Sequence, residues 1–182
     1  MDAVPVRIGV AIGIPPPWGA QLDRVRRRAG DPQAAQIPSH LTLLGPTDVA
    51  PADLAPIEAH LAAVAGGAVG FGLELRGTGT FRPVSEVVYV AVADGAACCA
   101  RLAAAVRTGP LDRPLRFPYH PHVTVAHDLA GAALDAVAAR LAGFQARFAV
   151  DRLTLYVHGP DGRWRPVRHF PLGVPAVQPS GQ

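Results

Sequence analysis

The chain contains no lysine: all 17 of its basic residues are arginine. A mutational bias toward arginine codons accounts for this simply, and scattered arginines are ordinarily solvated surface, although guanidinium forks also suit phosphates. Cysteine is nearly absent. The two present, Cys98 and Cys99, are sequence neighbours, which excludes a disulfide framework. They fall in an alanine-rich helical run, where buried and inert thiols are expected, and a reducing compartment fits. No apolar run reaches the length of a membrane span, and the N-terminus shows no basic segment followed by an apolar one and a cleavage site. A cytoplasmic protein is therefore expected, without membrane contact. Charged residues make up only 17% of the chain, and the net charge of +3 permits an anionic ligand without demanding one. There is also no glycine-rich phosphate loop.

What is present is a core and a repeated motif. With 182 residues, 49% of them apolar, the chain can form one domain spanning 1–182. Pro38-Ser39-His40-Leu41-Thr42-Leu43 is echoed by Pro121-His122-Val123-Thr124-Val125. In extended backbone, side chains alternate between faces. His40 and Thr42 thus project to one side over Leu41 and Leu43, and His122 and Thr124 do the same over Val123 and Val125. With 7 histidines and 7 threonines in the chain, random placement gives roughly 0.3 His-x-Thr matches, so two copies with matching apolar partners carry weight. Threonine is common in strands, and the plain alternative is a pair of half-exposed sheet segments. The repeated flanking order favours a site.

Periodicity and breakers place the remaining elements. Strands are expected at Val6–Ile14, Ile37–Leu44 (ended by Gly45-Pro46), Phe71–Arg76, Val87–Ala93, His122–Ala126, Phe148–Val157 and Trp164–Phe170. Helices are expected at Trp18–Ala29, Asp53–Ala65, Ala96–Arg107 and Ala132–Leu141. Thr78 to Pro83 reads as a loop, and the tail from residue 174 as frayed. Residues 6–76 give strand, helix, motif strand, helix, strand, and residues 87–157 repeat that order. Two such lobes related by a pseudo-two-fold would set the motif strands about one cleft. The fold class is α+β: a bilobal duplicated fold, two antiparallel-rich sheets with outer helices around a central cleft.

Two imidazoles across a cleft can supply an acid and a base near neutral pH, and two threonine hydroxyls can meet charge on non-bridging phosphate oxygens. Asp48 and Asp128 stand just beyond the motif strands and are expected to cap the following helices. A metal site at His120, His122 and His127 is the rival arrangement. His120 and His122 share a strand face but His127 does not, and no cysteine or carboxylate completes a tetrahedral set. No metal and no cofactor are expected.

The paired His-x-Thr motifs, Phe81 ahead of Val87-Val88-Tyr89-Val90, Tyr119 three residues before the second motif histidine, and the closing Phe170-Pro171-Leu172 resemble the 2H phosphoesterase superfamily, in its 2′-5′ RNA ligase-like branch. The family often carries an arginine shortly after the second motif, where this chain has Val125-Ala126-His127. The resemblance implies metal-free phosphodiester chemistry: opening of a 2′,3′-cyclic phosphate at an RNA end or on a cyclic nucleotide. It assigns His40 as acid toward the 3′ oxygen and His122 as base toward water, though the symmetry of the pair leaves the reverse assignment open. With a ribose hydroxyl in place of water, the same machinery would form a 2′-5′ link without ATP. Phe81 and Tyr119 could stack on a base or pack in the interior. A monomer is expected. The remaining alternative is a module that holds RNA or nucleotide ends without turnover.

Overall fold

The computed structural model describes residues 4–174; residues 175–182, most of the tail expected to fray, lie outside the described residues. Eight strands and four α-helices alternate in the order β1 (Val6–Gly13), α1 (Trp18–Ala29), β2 (His40–Val49), α2 (Leu54–Gly67), β3 (Phe71–Thr80), β4 (Val87–Asp94), α3 (Ala96–Val106), β5 (His122–His127), α4 (Gly131–Leu141), β6 (Gln145–Val150), β7 (Arg152–His158) and β8 (Trp164–Pro171). Each helix buries the stripe its sequence spacing dictates: Leu22 and Val25; Ile57, Leu61 and Ala65; Cys99, Leu102 and Val106; Leu134, Val137 and Leu141. Gly30 ends α1 in the left-handed conformation (φ 81°), its N–H bonded back to the Arg26 and Arg27 carbonyls. Among the described residues no helix is long and apolar enough to cross a membrane.

The strands form one antiparallel sheet in the order β6-β3-β4-β5-β2-β1-β7-β8. It consists of two four-stranded halves, so the expected α+β class is present as one continuous sheet and not as two separate ones. They are joined at a single register pair, Leu41↔Val123, between the two motif strands. The sheet curls, and the segment after β8 meets the start of β3, where the Gly70 N–H donates to the Gly173 carbonyl (2.9 Å). The halves do not follow the expected division at 6–76 and 87–157: β3 pairs with β4, and β7 returns to pair with β1. Helix α1 packs against β5 and α3 against β2, so each motif strand is backed by a helix from the other half of the sequence.

Four local expectations need correction. β2 does not stop at Gly45-Pro46 but runs to Val49, because Gly45 and Pro46 together oppose Gly9 in a bulge that accommodates the missing proline N–H. Likewise β3 continues through Thr80, past a register shift at which Gly77 adopts φ 68°. The strand expected over Phe148–Val157 is two strands broken at Asp151, since β6 pairs with β3 in one half of the sheet and β7 with β1 in the other. Finally, neither aspartate caps a helix. Asp48 lies within β2, held by a two-pronged bond from Arg7 (2.8 and 2.9 Å), and Asp128 adopts φ 52° ahead of the α4 N-cap, Ala130.

Candidate active site

The two motif strands alternate as their sequences require. Leu41, Leu43, Val123 and Val125 are fully buried on the helix side, and His40, Thr42, His122 and Thr124 are half-buried on the other. Antiparallel register through Leu41↔Val123 sets His40 beside Thr124 and His122 beside Thr42. The histidines are therefore diagonal neighbours, a relation that spans about 7–8 Å and leaves room for a phosphate between them. Gly13 and Ala11 of β1 stand opposite His40 and Thr42, and their small size opens a cleft. All four motif residues line it, in a volume of about 340 Å³.

Backbone geometry fixes both imidazoles in the same way. His40 Nδ1 lies 2.8 Å from the Pro38 carbonyl, and His122 Nδ1 lies 2.7 Å from the His120 carbonyl. A carbonyl oxygen can only accept, so each Nδ1 carries a proton. The neutral ring then keeps its lone pair on Nε2, the nitrogen left able to accept or donate a proton. Burial lowers the pKa of His40. The Arg26 and His122 charges add to the effect, while the Pro38 carbonyl and Asp23 oppose it. Burial also lowers that of His122, with a further contribution from the His120 charge and opposition from the His120 carbonyl.

A buried ion network secures the approach to His40. The Ser39 N–H and hydroxyl both donate to Asp23 Oδ1 (2.8 and 2.7 Å). Arg26, only 3% exposed, donates from Nε to Asp31 (3.0 Å) and from Nη1 to the Ile37 carbonyl (2.9 Å). Its side chain also lines the cleft. The general expectation that arginines here are solvated surface fails at Arg26; its position four residues after Leu22, on the apolar stripe, was the available signal. Gln33 and His127 were likewise missed: the Gln33 amide donates to His127 Nδ1 (3.0 Å), and both face the cleft. His127 is the residue standing where the resembled family often has arginine.

Around His122 the environment is aromatic. The Phe81 ring meets His122 edge-on at 4.9 Å and packs on Tyr89 at 4.6 Å. Tyr89 in turn lies over Gly79, where an added Cβ would fall 2.5 Å from the ring. His120, named in the sequence only for the rival metal arrangement, stacks on His122 at 6.0 Å and touches Phe81 and Tyr89. Phe81 thus lines the cleft. Tyr119 does not. It packs against the core, and its hydroxyl donates to the Thr42 carbonyl (2.9 Å) beneath the Arg107 guanidinium. Trp164, at the start of the last strand, is half-buried against Gly9 and lines the cleft, while Arg165 beside it is forked to Asp161. His158 packs on Trp164, His169 bonds Thr154 (2.9 Å) and His60 the Val106 carbonyl (3.1 Å). Among the described residues no three His, Cys, Asp or Glu side chains cluster so as to hold a metal ion.

A curled α+β sheet that brings two His-x-Thr strands side by side is the architecture of the two-histidine phosphoesterases. Residues 14–162 match the model of the 2′-5′ RNA ligase superfamily, and the chain belongs to that family. It is 28% identical over 145 residues to a candidate phosphoesterase of Halalkalibacterium halodurans, covering 79% of this chain and 84% of that one. Among solved structures it is similar to Escherichia coli LigT in its apo form, with 27% identity, a TM-score of 0.67, and coverage of 93% of this chain and 98% of that one. The ATP complex of LigT gives 28% identity, a TM-score of 0.65, and coverage of 94% and 99%.

Proposed function

We propose that the protein opens 2′,3′-cyclic phosphates at RNA or nucleotide ends by two-histidine acid–base catalysis. The observation that carries this reading is the pair of Nδ1-anchored imidazoles set diagonally across one cleft, each beside a threonine of the other strand. With Nδ1 committed to a carbonyl, both Nε2 atoms are available to a phosphate held between them. His122 Nε2 takes a proton from water as its oxygen bonds to phosphorus. The bond from phosphorus to the 3′ oxygen breaks, and the protonated His40 gives its Nε2 proton to that oxygen. A 2′-phosphate and a 3′-hydroxyl result. Thr42 and Thr124 hydroxyls donate to the non-bridging oxygens, whose charge rises as the fifth bond forms. Every proton in this scheme is carried by imidazole, so no metal is required. With a 5′-hydroxyl in the place of water, the same steps join two strands through a 2′-5′ link. Support for a nucleotide ligand comes from E. coli LigT, which has been solved with ATP.

The test is turnover of 2′,3′-cyclic mononucleotides and of a cyclic-phosphate-ended oligonucleotide in the presence of EDTA, with the product isomer identified by phosphorus NMR. Hydrolysis to the 2′-phosphate at an undiminished rate is expected. Loss of activity in EDTA with recovery on adding zinc or manganese would overturn the metal-free scheme. Binding without turnover would make the protein a module that holds nucleotide ends.

A further inference from the structure

The catalytic pair has a second pocket on its other side. Phe81, His122, Thr42 and Gly45 line both the cleft and a neighbouring cavity of about 690 Å³. The outer wall of that cavity is formed by Val84, Leu115, Phe117, Tyr119, Arg107 and Arg116. Three of these are large apolar side chains left in solvent, with Val84 75%, Leu115 52% and Phe117 57% exposed. Two cations stand over the aromatic rings: Arg116 lies 5.3 Å above Phe117 and Arg107 lies 5.0 Å above Tyr119. Nothing in the hydrolysis of a mononucleotide requires this surface.

Resting on the proposed function, we infer that this pocket binds the base of the nucleotide preceding the cyclic phosphate, so that the preferred substrate is an oligonucleotide end and not a cyclic mononucleotide. Three observations converge on that occupant. The pocket is continuous with the cleft through His122 and Thr42, so a chain whose terminal phosphate sits between the histidines must leave past one wall or the other. Its lining is aromatic and apolar, which suits the faces of any base. Its rim carries guanidinium groups, which suit the phosphodiester that links the last two nucleotides. Its volume falls in the range that encloses small organic ligands. An apolar peptide would use the ring surfaces but would leave the arginines without anionic partners.

The experiment compares kcat/KM for a 2′,3′-cyclic mononucleotide and for a dinucleotide ending in the same cyclic phosphate. It uses the wild-type chain, Phe117→Ala and Arg116→Gln. Both substituted side chains are exposed, and circular dichroism checks the fold. The wild type should favour the dinucleotide by about five- to a hundredfold, the range spanned by stacking one base on an aromatic ring. In Phe117→Ala that ratio should fall toward one, and in Arg116→Gln it should become less sensitive to salt. Equal kcat/KM for the two substrates in the wild type, or a ratio that survives Phe117→Ala, overturns the inference while leaving the hydrolysis intact. If neither substrate turns over, the functional reading fails, and calorimetric binding of a 3′-phosphorylated dinucleotide still decides the pocket. Tighter binding than the 3′-mononucleotide, abolished by Phe117→Ala, supports it, and equal binding refutes it.

Discussion

Replacing His122 by alanine separates chemistry from architecture, because the side chain stands on the cleft face of β5 while its neighbours Val123 and Val125 are fully buried on the other. The substitution opens no void in the core. What it removes from the fold is the bond from Nδ1 to the His120 carbonyl, a contribution of about 0.5–1.5 kcal/mol. For a domain of this size that corresponds to a fall in melting temperature of about 1–6 °C. Turnover should suffer far more. A positioned general base contributes about 10²–10⁴ in rate, and its loss leaves the protonated partner with no transition state to serve. His40→Ala should do the same from the acid side. The double substitution should cost little beyond either single one, because the two rings act on one transition state. Initial rates on a cyclic-phosphate-ended substrate, measured beside thermal melts, give both quantities. Either single variant retaining more than a tenth of wild-type kcat, with its melting temperature intact, would show that the imidazoles are structural and that the chemistry lies elsewhere.

Thr42→Val and Thr124→Val keep the strand shape and should each lower kcat by about 10²–10³; KM should move less if the hydroxyls meet charge that grows in the transition state, and steady-state kinetics on the two variants distinguishes the cases. Both histidine pKa values lie below the ordinary 6.5 because burial disfavours the imidazolium. The neutral base therefore appears, and the protonated acid disappears, at lower pH than in free histidine, and kcat/KM should trace a bell with its optimum below 6.5. The bound phosphate anion favours the imidazolium, so the kcat profile should lie at higher pH; a kcat/KM optimum above pH 8 would contradict the environment described. Arg26→Met strands the Asp31 carboxylate, whose side chain is fully buried, and should cost about 3–5 kcal/mol by urea unfolding. Adding Asp31→Asn should recover part of that loss; full stability in the single variant would show that the ion pair contributes nothing.

The parts of this molecule that a reader of the sequence could see are those set by local periodicity. Alternation alone placed His40, Thr42, His122 and Thr124 on the same side of their strands, and helix spacing alone picked out Leu134, Val137 and Leu141. Elements whose limits depend on a distant partner were not visible. Gly45-Pro46 reads as a stop, but β1 supplies a strand with room for a bulge opposite it. Arg26 reads as surface among its arginine neighbours, because its partners Asp31 and the Ile37 carbonyl are brought to it only by the turn after Gly30. Asp48 reads as a cap until Arg7 is found across the sheet. Phe81 and Tyr119, equal as aromatic candidates in the sequence, both line the outer pocket, but only Phe81 also reaches the cleft, because the Tyr119 hydroxyl is tied to the Thr42 carbonyl.

The two histidines have the same backbone anchor and different surroundings, and both facts bear on reversibility. After hydrolysis as proposed, His122 holds the proton taken from water and His40 has given its own away. That is the protonation state the reverse reaction needs, by microscopic reversibility. Because each Nδ1 is tied to a carbonyl, each ring presents the same nitrogen to the phosphate in either state, and no ring need turn over between directions. Resetting for another forward cycle requires proton exchange with solvent, which half-buried side chains on an open cleft permit. Arg26 and Asp23 lie near His40, whereas Phe81, Tyr89 and His120 enclose His122, so the two rings exchange protons from unlike settings.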